Sequence, residues 1–472
     1  MIKVPEKDIS AVMDAFKEFY DKNLAHGQGL NVNAFMDFME PKFAEAGYRK
    51  KFNPDFAKIC EGNIIDLNNL DYRNFILPNP HLANIWGNIL ILTDLGVGDF
   101  ICSTGAIREI RRVYPESHIT LLSFKKPFTF AEICPYVDEV ILCEKHGYAF
   151  PDMYTVGMET ASRLLERRFD ICFSFQTHAY SDLLMYMSGA DFRVTSIFWK
   201  NVNRMNDVKE RNFNISLKAL ATKAVAFGGS NCNWHMANRY FSLLEEVLHV
   251  PILNRKLEAW YTPGDFSVAR ESLGNISEPL YSLCMGGTWG RVHYPPEKYA
   301  RLLELIAEEE PSARFVIIGG GGGDLRSAEA LKAASPKLYK RKVINLVSRL
   351  TYRQSAAVLS FCKILIGNDT GTSHVAAGLN RPVLSPNCFS ANFGIRSLDA
   401  PARWSPYGVP NVTVLPKHAL PECDSRPYGD HGCKVRETPH CITQIAPETL
   451  FKGFHLLKKR IEEKNTEPLY IS

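Results

Sequence analysis

The chain has 472 residues, 46% of them hydrophobic and 22% charged, with a formal net charge of +4. That length points to two domains plus an extension, each domain large enough to bury a core. The mild basic excess excludes the dense basic face of a nucleic-acid binder and suits small anionic ligands, or peripheral contact with an anionic membrane surface.

In chain order, residues 1–85 read as a mainly helical N-terminal extension. Ile9 to Phe19 and Asn33 to Phe43 carry helical periodicity, and Asn-Pro pairs at 53–54 and 79–80 break the chain before residue 86. The start, Met1-Ile-Lys-Val-Pro, lacks the apolar stretch of a secretory signal, and no apolar run is long enough to span a bilayer, so the cytoplasm is the expected location. From residue 86 the texture changes. Asn88-Ile-Leu-Ile-Leu is a short buried strand, Gly96 to Asp99 a turn, and Ser103 to Val113 a helix; His118 to Phe124, Val140 to Cys143 and Phe169 to Phe175 are further strands.

The pattern restarts at Tyr281 to Met285, with strands at Phe315, Lys342, Ile364 and Pro382 and a helix over Tyr299 to Glu308. Apolar strands alternating with helices indicate an α/β protein built on parallel sheets covered on both faces. The expected division is 1–85 extension, 86–270 first doubly wound domain, 271–446 second, and 447–472 a return helix packing back on the first, with the join near 262–279.

Leu95-Gly-Val-Gly-Asp-Phe lies between strand and helix, where glycines let a ligand approach the backbone and Asp99 serves as either helix cap or catalytic acid. Gly96-Val-Gly98 lacks the third glycine of a dinucleotide fingerprint, which disfavours an oxidoreductase. In Gly367-Asn-Asp-Thr-Gly-Thr-Ser-His a buried strand runs into a helix start near Thr372; free N–H groups and hydroxyls there suit a diphosphate, and His374 lies in the first turn. The loop Gly286-Gly-Thr-Trp-Gly-Arg offers Thr288 and Arg291 as phosphate donors, or is a plain surface loop. Gly319 to Gly323 followed by Asp324 lacks the Lys-Ser/Thr of a P-loop.

Of twelve cysteines, Cys102, Cys172, Cys284 and Cys362 read as small buried hydrophobes. Cys423, Cys433 and Cys441, with Cys388 as a fourth thiolate, are weighed as a structural Fe or Zn site against separate thiols, because their spacing lacks close pairs.

Taken in order, Gly98-Asp99 with Thr104 and Arg111-Arg112-Val-Tyr-Pro, Phe169-Asp-Ile-Cys-Phe-Ser-Phe-Gln, Ser188-Gly-Ala, Asp369-Thr-Gly-Thr-Ser-His-Val-Ala-Ala and Cys441-Ile-Thr-Gln-Ile-Ala-Pro-Glu resemble glycosyltransferase family 9, the ADP-heptose heptosyltransferases of lipopolysaccharide synthesis. The resemblance spans roughly residues 88–450. It implies a GT-B fold of two facing Rossmann-like domains and inverting transfer from a nucleotide sugar, ADP-heptose-like, to an acceptor hydroxyl of a lipopolysaccharide core or other glycan, lipid or protein. No catalytic metal or cofactor is implied, and the expected setting is the cytoplasmic face of the inner membrane.

By the same resemblance Asp99 is the base, with Gly96, Gly98 and Thr104 on the acceptor side. The donor falls to Thr288, Arg291, Asp324 near the ribose, Leu350 at the adenine, Asp369, Thr370, Gly371 and His374. One departure stands out: the family's phosphate-binding lysine is replaced by Val292, leaving Arg291 or His293 to take over. The extension and the late cysteines resemble the autotransporter protein heptosyltransferases, an alternative beside an epimerase or hydrolase and a non-enzymatic nucleotide-sugar-binding protein.

Overall fold

The computed structural model describes residues 9–23, 31–48, 86–93, 96–144, 152–176, 179–198, 220–227, 235–287, 292–389, 401–417 and 440–472. Among them the strands are β1 (Asn88–Leu92), β2 (His118–Phe124), β3 (Glu139–Cys143), β4 (Ile171–Ser174), β5 (Phe192–Phe198), β6 (Lys223–Phe227), β7 (Leu280–Cys284), β8 (Arg314–Ile317), β9 (Val343–Asn345), β10 (Ile364–Gly367), β11 (Val383–Pro386), β12 (Asn411–Val414) and β13 (Leu469–Ile471). They form two sheets, in the orders β3-β2-β1-β4-β5-β6 and β13-β12-β11-β10-β7-β8-β9, and each of these strand pairs is parallel. This is the expected pair of doubly wound α/β units. Helices cover both faces, so the central strands carry continuous apolar runs rather than alternation.

Two expected placements change. The helix Pro447–Glu462 lies on the second sheet, not the first. Its apolar side, Leu450, Phe454 and Leu457, enters the core with Tyr281, Leu283 and Val412. Gly453 permits that close seating: a Cβ there would stand 3.0 Å from Leu384 Cδ1. The crossing between units falls at the start of the 262–279 span, ahead of the expected 270/271 boundary, because the helix Pro263–Leu273, begun by a Thr262–Asp265 capping box, already packs on the second unit's Tyr352–Phe361 helix.

In the extension, helices Ile9–Asn23 and Val32–Glu45 bury Phe16, Phe19, Phe35 and Phe43. Phe35 and Phe43 meet Tyr186 with ring centroids 5.6 and 5.3 Å apart. Each buried ring contributes roughly 1.5–3 kcal/mol over exposure, enough to dock this hairpin on the outer helices of the first sheet. The expected break at 53–54 and 79–80 lies outside the described residues.

Candidate active site

Each sheet reverses its winding once. In the first, the chain runs from β1 out to β2 and β3 and returns on β1's other side as β4; in the second, it runs from β7 to β8 and β9 and returns as β10. Open parallel sheets bind ligands in the crevice outside the carboxyl ends of the strands flanking such a reversal. The loops at these four strand ends carry Asp99, Gln176, Gly286-Gly287 and Asn368-Asp369-Thr370.

At the first crevice the helix Val97–Val113 starts six residues ahead of the expected Ser103, directly off the glycine turn, so Asp99 lies in its first turn at the positive end of the helix dipole. Asp99 is half-buried. A Cβ on Gly96 would collide with its carboxylate, so that glycine makes room for the acid. A Cβ on Gly98 would stand 2.7 Å from His374 Cδ2 and 3.4 Å from Gly371 Cα. The two glycines thus let the N-terminus of the Asp99 helix meet that of the Gly371–Gly378 helix. Thr104 faces elsewhere. Its hydroxyl donates to Ile101 O at 2.8 Å and accepts from Glu258 N at 2.9 Å, which ties the strap between the units to the Asp99 helix.

Cys102 is more than a filler of the core: its Sγ lies 3.5 Å from His374 Nδ1, across the seam between units. Burial first, and then the charges of Asp99 and Asp369, push this thiol well above its ordinary value. Both carboxylates, one from each unit, therefore lie within electrostatic reach of this thiol. Burial pulls His374 down to about 4, so its imidazole is neutral at pH 7. The geometry is consistent with S–H donating to Nδ1, which leaves the ring proton on Nε2. His235 caps the Met236–Leu248 helix by accepting from Ala237 N at 3.1 Å and donates through Nε2 to Ser405 O at 2.7 Å; burial, with His374 nearby, lowers it to about 3.

At the second crevice Asp369 accepts from Asn387 Nδ2 at 2.9 Å. Thr370, the N-cap residue of the Gly371–Gly378 helix, makes no side-chain cap bond, and its Oγ1 is buried with no hydrogen-bond partner. Thr372 Oγ1 lies 3.3 Å from the Tyr352 hydroxyl. Asn368 carries no sequence signal of its own, yet it braces this edge. Fully buried, it accepts from Tyr294 N at 3.2 Å and the Tyr299 hydroxyl at 2.8 Å, and donates to Met285 O and to Gly286 O, the latter at 3.2 Å. One amide thus holds the β7 and β10 loops together.

Asp324 opens the Gly322–Ala334 helix and accepts from Gly320 N at 2.7 Å. At Gly319, φ +155°, a Cβ would stand 2.5 Å from its Oδ2. Burial raises the Asp324 carboxyl above its ordinary value, while His293 opposes that rise. Leu350 is half-buried against the core, immediately before the Thr351–Gln354 capping box. Val292 is buried beside Gly287, and His293 Nε2 donates to Gly287 O at 3.0 Å.

Thr288, Arg291, Cys423 and Cys433 lie outside the described residues. Cys388 packs beside the second core, and Cys441 belongs to the short helix His440–Thr443. Among the described residues no three His, Cys, Asp or Glu side chains are grouped to hold a metal ion, and no helix is long and apolar enough to cross a membrane.

The seam is closed by contacts beyond the glycine pair. Phe130 and Tyr352 meet edge-on at 5.5 Å, Arg353 reaches Glu132 across it at 2.6 Å while held by Asp265 of its own unit at 2.7 Å, and the Tyr407 hydroxyl donates to Asn238 at 2.6 Å. The arrangement brings Asp99, Gly98, Asp369, Gly371 and His374 to one place, and leaves Thr104 aside.

A family model described as "Glycosyltransferase family 9 (heptosyltransferase)" matches residues 158–386. A lipooligosaccharide heptosyltransferase 2 of Haemophilus ducreyi is 22% identical over 311 residues, covering 62% of this chain and 80% of that protein. Among solved structures, a family 9 glycosyl transferase from Veillonella parvula superposes with a TM-score of 0.57 at 18% identity, over 79% of this chain and 97% of that one. The Escherichia coli ADP-heptose lipopolysaccharide heptosyltransferase II superposes with a TM-score of 0.52, also at 18% identity, over 79% and 99%. The fold is that of these GT-B enzymes.

Proposed function

We propose that this chain is a glycosyltransferase of the family 9, heptosyltransferase-like kind, and that it moves heptose from ADP-heptose onto a hydroxyl of a lipopolysaccharide core, with inversion at the anomeric carbon and Asp99 as general base. The observation that carries the reading is the meeting of two helix N-termini, glycine against glycine, with Asp99 on the acceptor side and Asp369, Thr370 and His374 on the donor side. In this division, residues 86–262 hold the acceptor, and 263–446 with the returning 447–472 segment hold the nucleotide sugar.

Asp99 accepts the acceptor's proton as the new C–O bond forms, a role typically worth 10²–10⁴-fold. The bond from the anomeric carbon to the diphosphate breaks on the opposite side. Charge developing on that diphosphate meets the N–H groups of the Gly371–Gly378 helix, the Thr370 hydroxyl and the neutral Nε2–H of His374. Thr288 and Arg291 complete this edge in the proposal. Asp369 favours positive character at the sugar ring. Asp324 and Leu350 hold ribose and adenine. The chemistry needs no divalent metal in this reading, and the enzyme works at the cytoplasmic face of the membrane that carries its acceptor.

The test is Asp99→Asn with ADP-heptose and lipopolysaccharide truncated in its inner core. Transfer should fall at least 10²-fold while the thermal stabilisation by ADP persists. Wild-type turnover by the variant would refute the assignment.

A further inference from the structure

The two crevices invite comparison, because β4 stands in the first sheet where β10 stands in the second: each is the strand that returns beside the first of its unit. Just beyond β10 is Asn368, whose side-chain amide is fully committed, with two acceptors for its N–H groups and two donors to its oxygen. Two residues beyond β4 is Gln176. It is 1% exposed, and its Nε2 has no hydrogen-bond partner. Native chains rarely leave a buried amide donor unsatisfied, and each exception calls for an explanation, of which a water or a ligand is one.

The placement favours a ligand. Leu92 of β1 is in register with Ser174 of β4, and Phe175 N donates to Leu92 O at 3.0 Å, so Gln176 comes directly after the strand beside the one that leads to Asp99. Phe173 and Phe175 enter the core under the Asp99 helix, and the alternation sends Ser174 and Gln176 to the other side of β4. Asp99 and Gln176 therefore flank the reversal crevice of the acceptor unit from its two strands. An uncharged N–H donor suits a sugar hydroxyl or ring oxygen and adds no charge that would compete for the donor's diphosphate.

We propose that Gln176 is an acceptor-binding residue, its amide N–H donating to an oxygen of the acceptor sugar on the side of the crevice opposite Asp99. The assignment rests on the reading of the chain as a transferase with Asp99 on its acceptor side.

Gln176→Met in the full chain keeps length and volume while removing the polar head. With ADP-heptose and inner-core-truncated lipopolysaccharide, the acceptor KM should rise at least tenfold. Slow hydrolysis of the donor alone and the stabilisation by ADP should be unchanged. The unliganded variant should melt at or above the wild-type temperature, because an unsatisfied amide has been removed. An unchanged acceptor KM would show that the amide meets only internal water and would overturn the proposal; so would a rise in donor KM matching that for acceptor. Absence of transfer by the wild type would instead refute the transferase function, and this proposal would fall with it.

Discussion

Gly98→Ala is the sharpest probe of the seam. The added methyl would stand 2.7 Å from His374 Cδ2, whereas ordinary contact begins at 3.4 Å, so about 0.7 Å must be found. His374 has little room to give: its Nδ1 faces Cys102, its ring meets Trp404 edge-on at 6.4 Å, and it is 4% exposed. The helices must therefore part. Overpacking of this kind costs about 1–3 kcal/mol, offset by roughly 0.5–1 kcal/mol from the lower backbone entropy of alanine in a helix. A net loss near 1–2 kcal/mol should lower the melting temperature by a few degrees. The kinetic effect should be larger, since a shift approaching 1 Å between reacting groups can cost about 10²-fold. Steady-state transfer and calorimetric melting measure both, and ADP affinity should change less than transfer, because the substitution lies in the first unit and the second keeps all its own residues. Wild-type kcat at wild-type melting temperature would refute the idea that this contact sets the distance between acceptor and donor edges.

Two further outcomes concern buried groups. His374 and His235 have folded pKa values of about 4 and 3, below the ordinary 6.5, so the folded chain binds fewer protons than the unfolded one in the acid range. Their contribution is complete above pH 6.5 and is lost as pH falls, down to about 4 and 3 respectively, at up to ~1.4 kcal/mol per pH unit for each histidine. Urea midpoints measured from pH 7 to pH 4.5 should fall accordingly, less steeply in His374→Gln, and a flat profile would contradict burial of both rings. Asn368→Leu should cost roughly 3–5 kcal/mol by orphaning Met285 O, Gly286 O, Tyr294 N and the Tyr299 hydroxyl, and should raise donor KM in any fraction that folds; denaturation and donor titration check this.

Strands such as Asn88–Leu92 and Ile364–Gly367 were legible because a strand buried on both faces must be apolar throughout. β5 was not, because Phe192-Arg-Val-Thr-Ser-Ile-Phe reads as half-polar. Its Arg193 is buried and donates to Leu220 O at 2.8 Å and Ala190 O at 2.7 Å, and Thr195 bonds Asp182, partners that only the fold supplies. The site divided in the same way. Asp99 and Asp369-Thr370-Gly371 were visible as glycine-flanked acids at strand ends. The Cys102–His374 contact, 272 residues apart in sequence, and the four-bond role of Asn368 depend on which loops the sheets bring together. Thr104 illustrates the converse: it lies five residues past the acid, and its hydroxyl accepts from the strap at Glu258 N.

Val292, where the resemblance places a lysine, gains a physical meaning from these contacts. Val292 is buried against Gly287, and a lysine at that position would have to leave the core to reach a phosphate. His293 is exposed and occupied with the Gly287 carbonyl, and its charge when protonated would favour Asp324 first. In the proposed reading, with His374 neutral, the described part of the donor edge would rely on dipoles: the first N–H groups of the Gly371–Gly378 helix and the Thr370 hydroxyl. Such groups are already oriented before the leaving group acquires charge, so they add no reorganisation cost when the bond breaks. A donor edge built this way would stabilise a diphosphate through geometry rather than net charge, and its performance would depend on how firmly Asn368 fixes the two loops that form it.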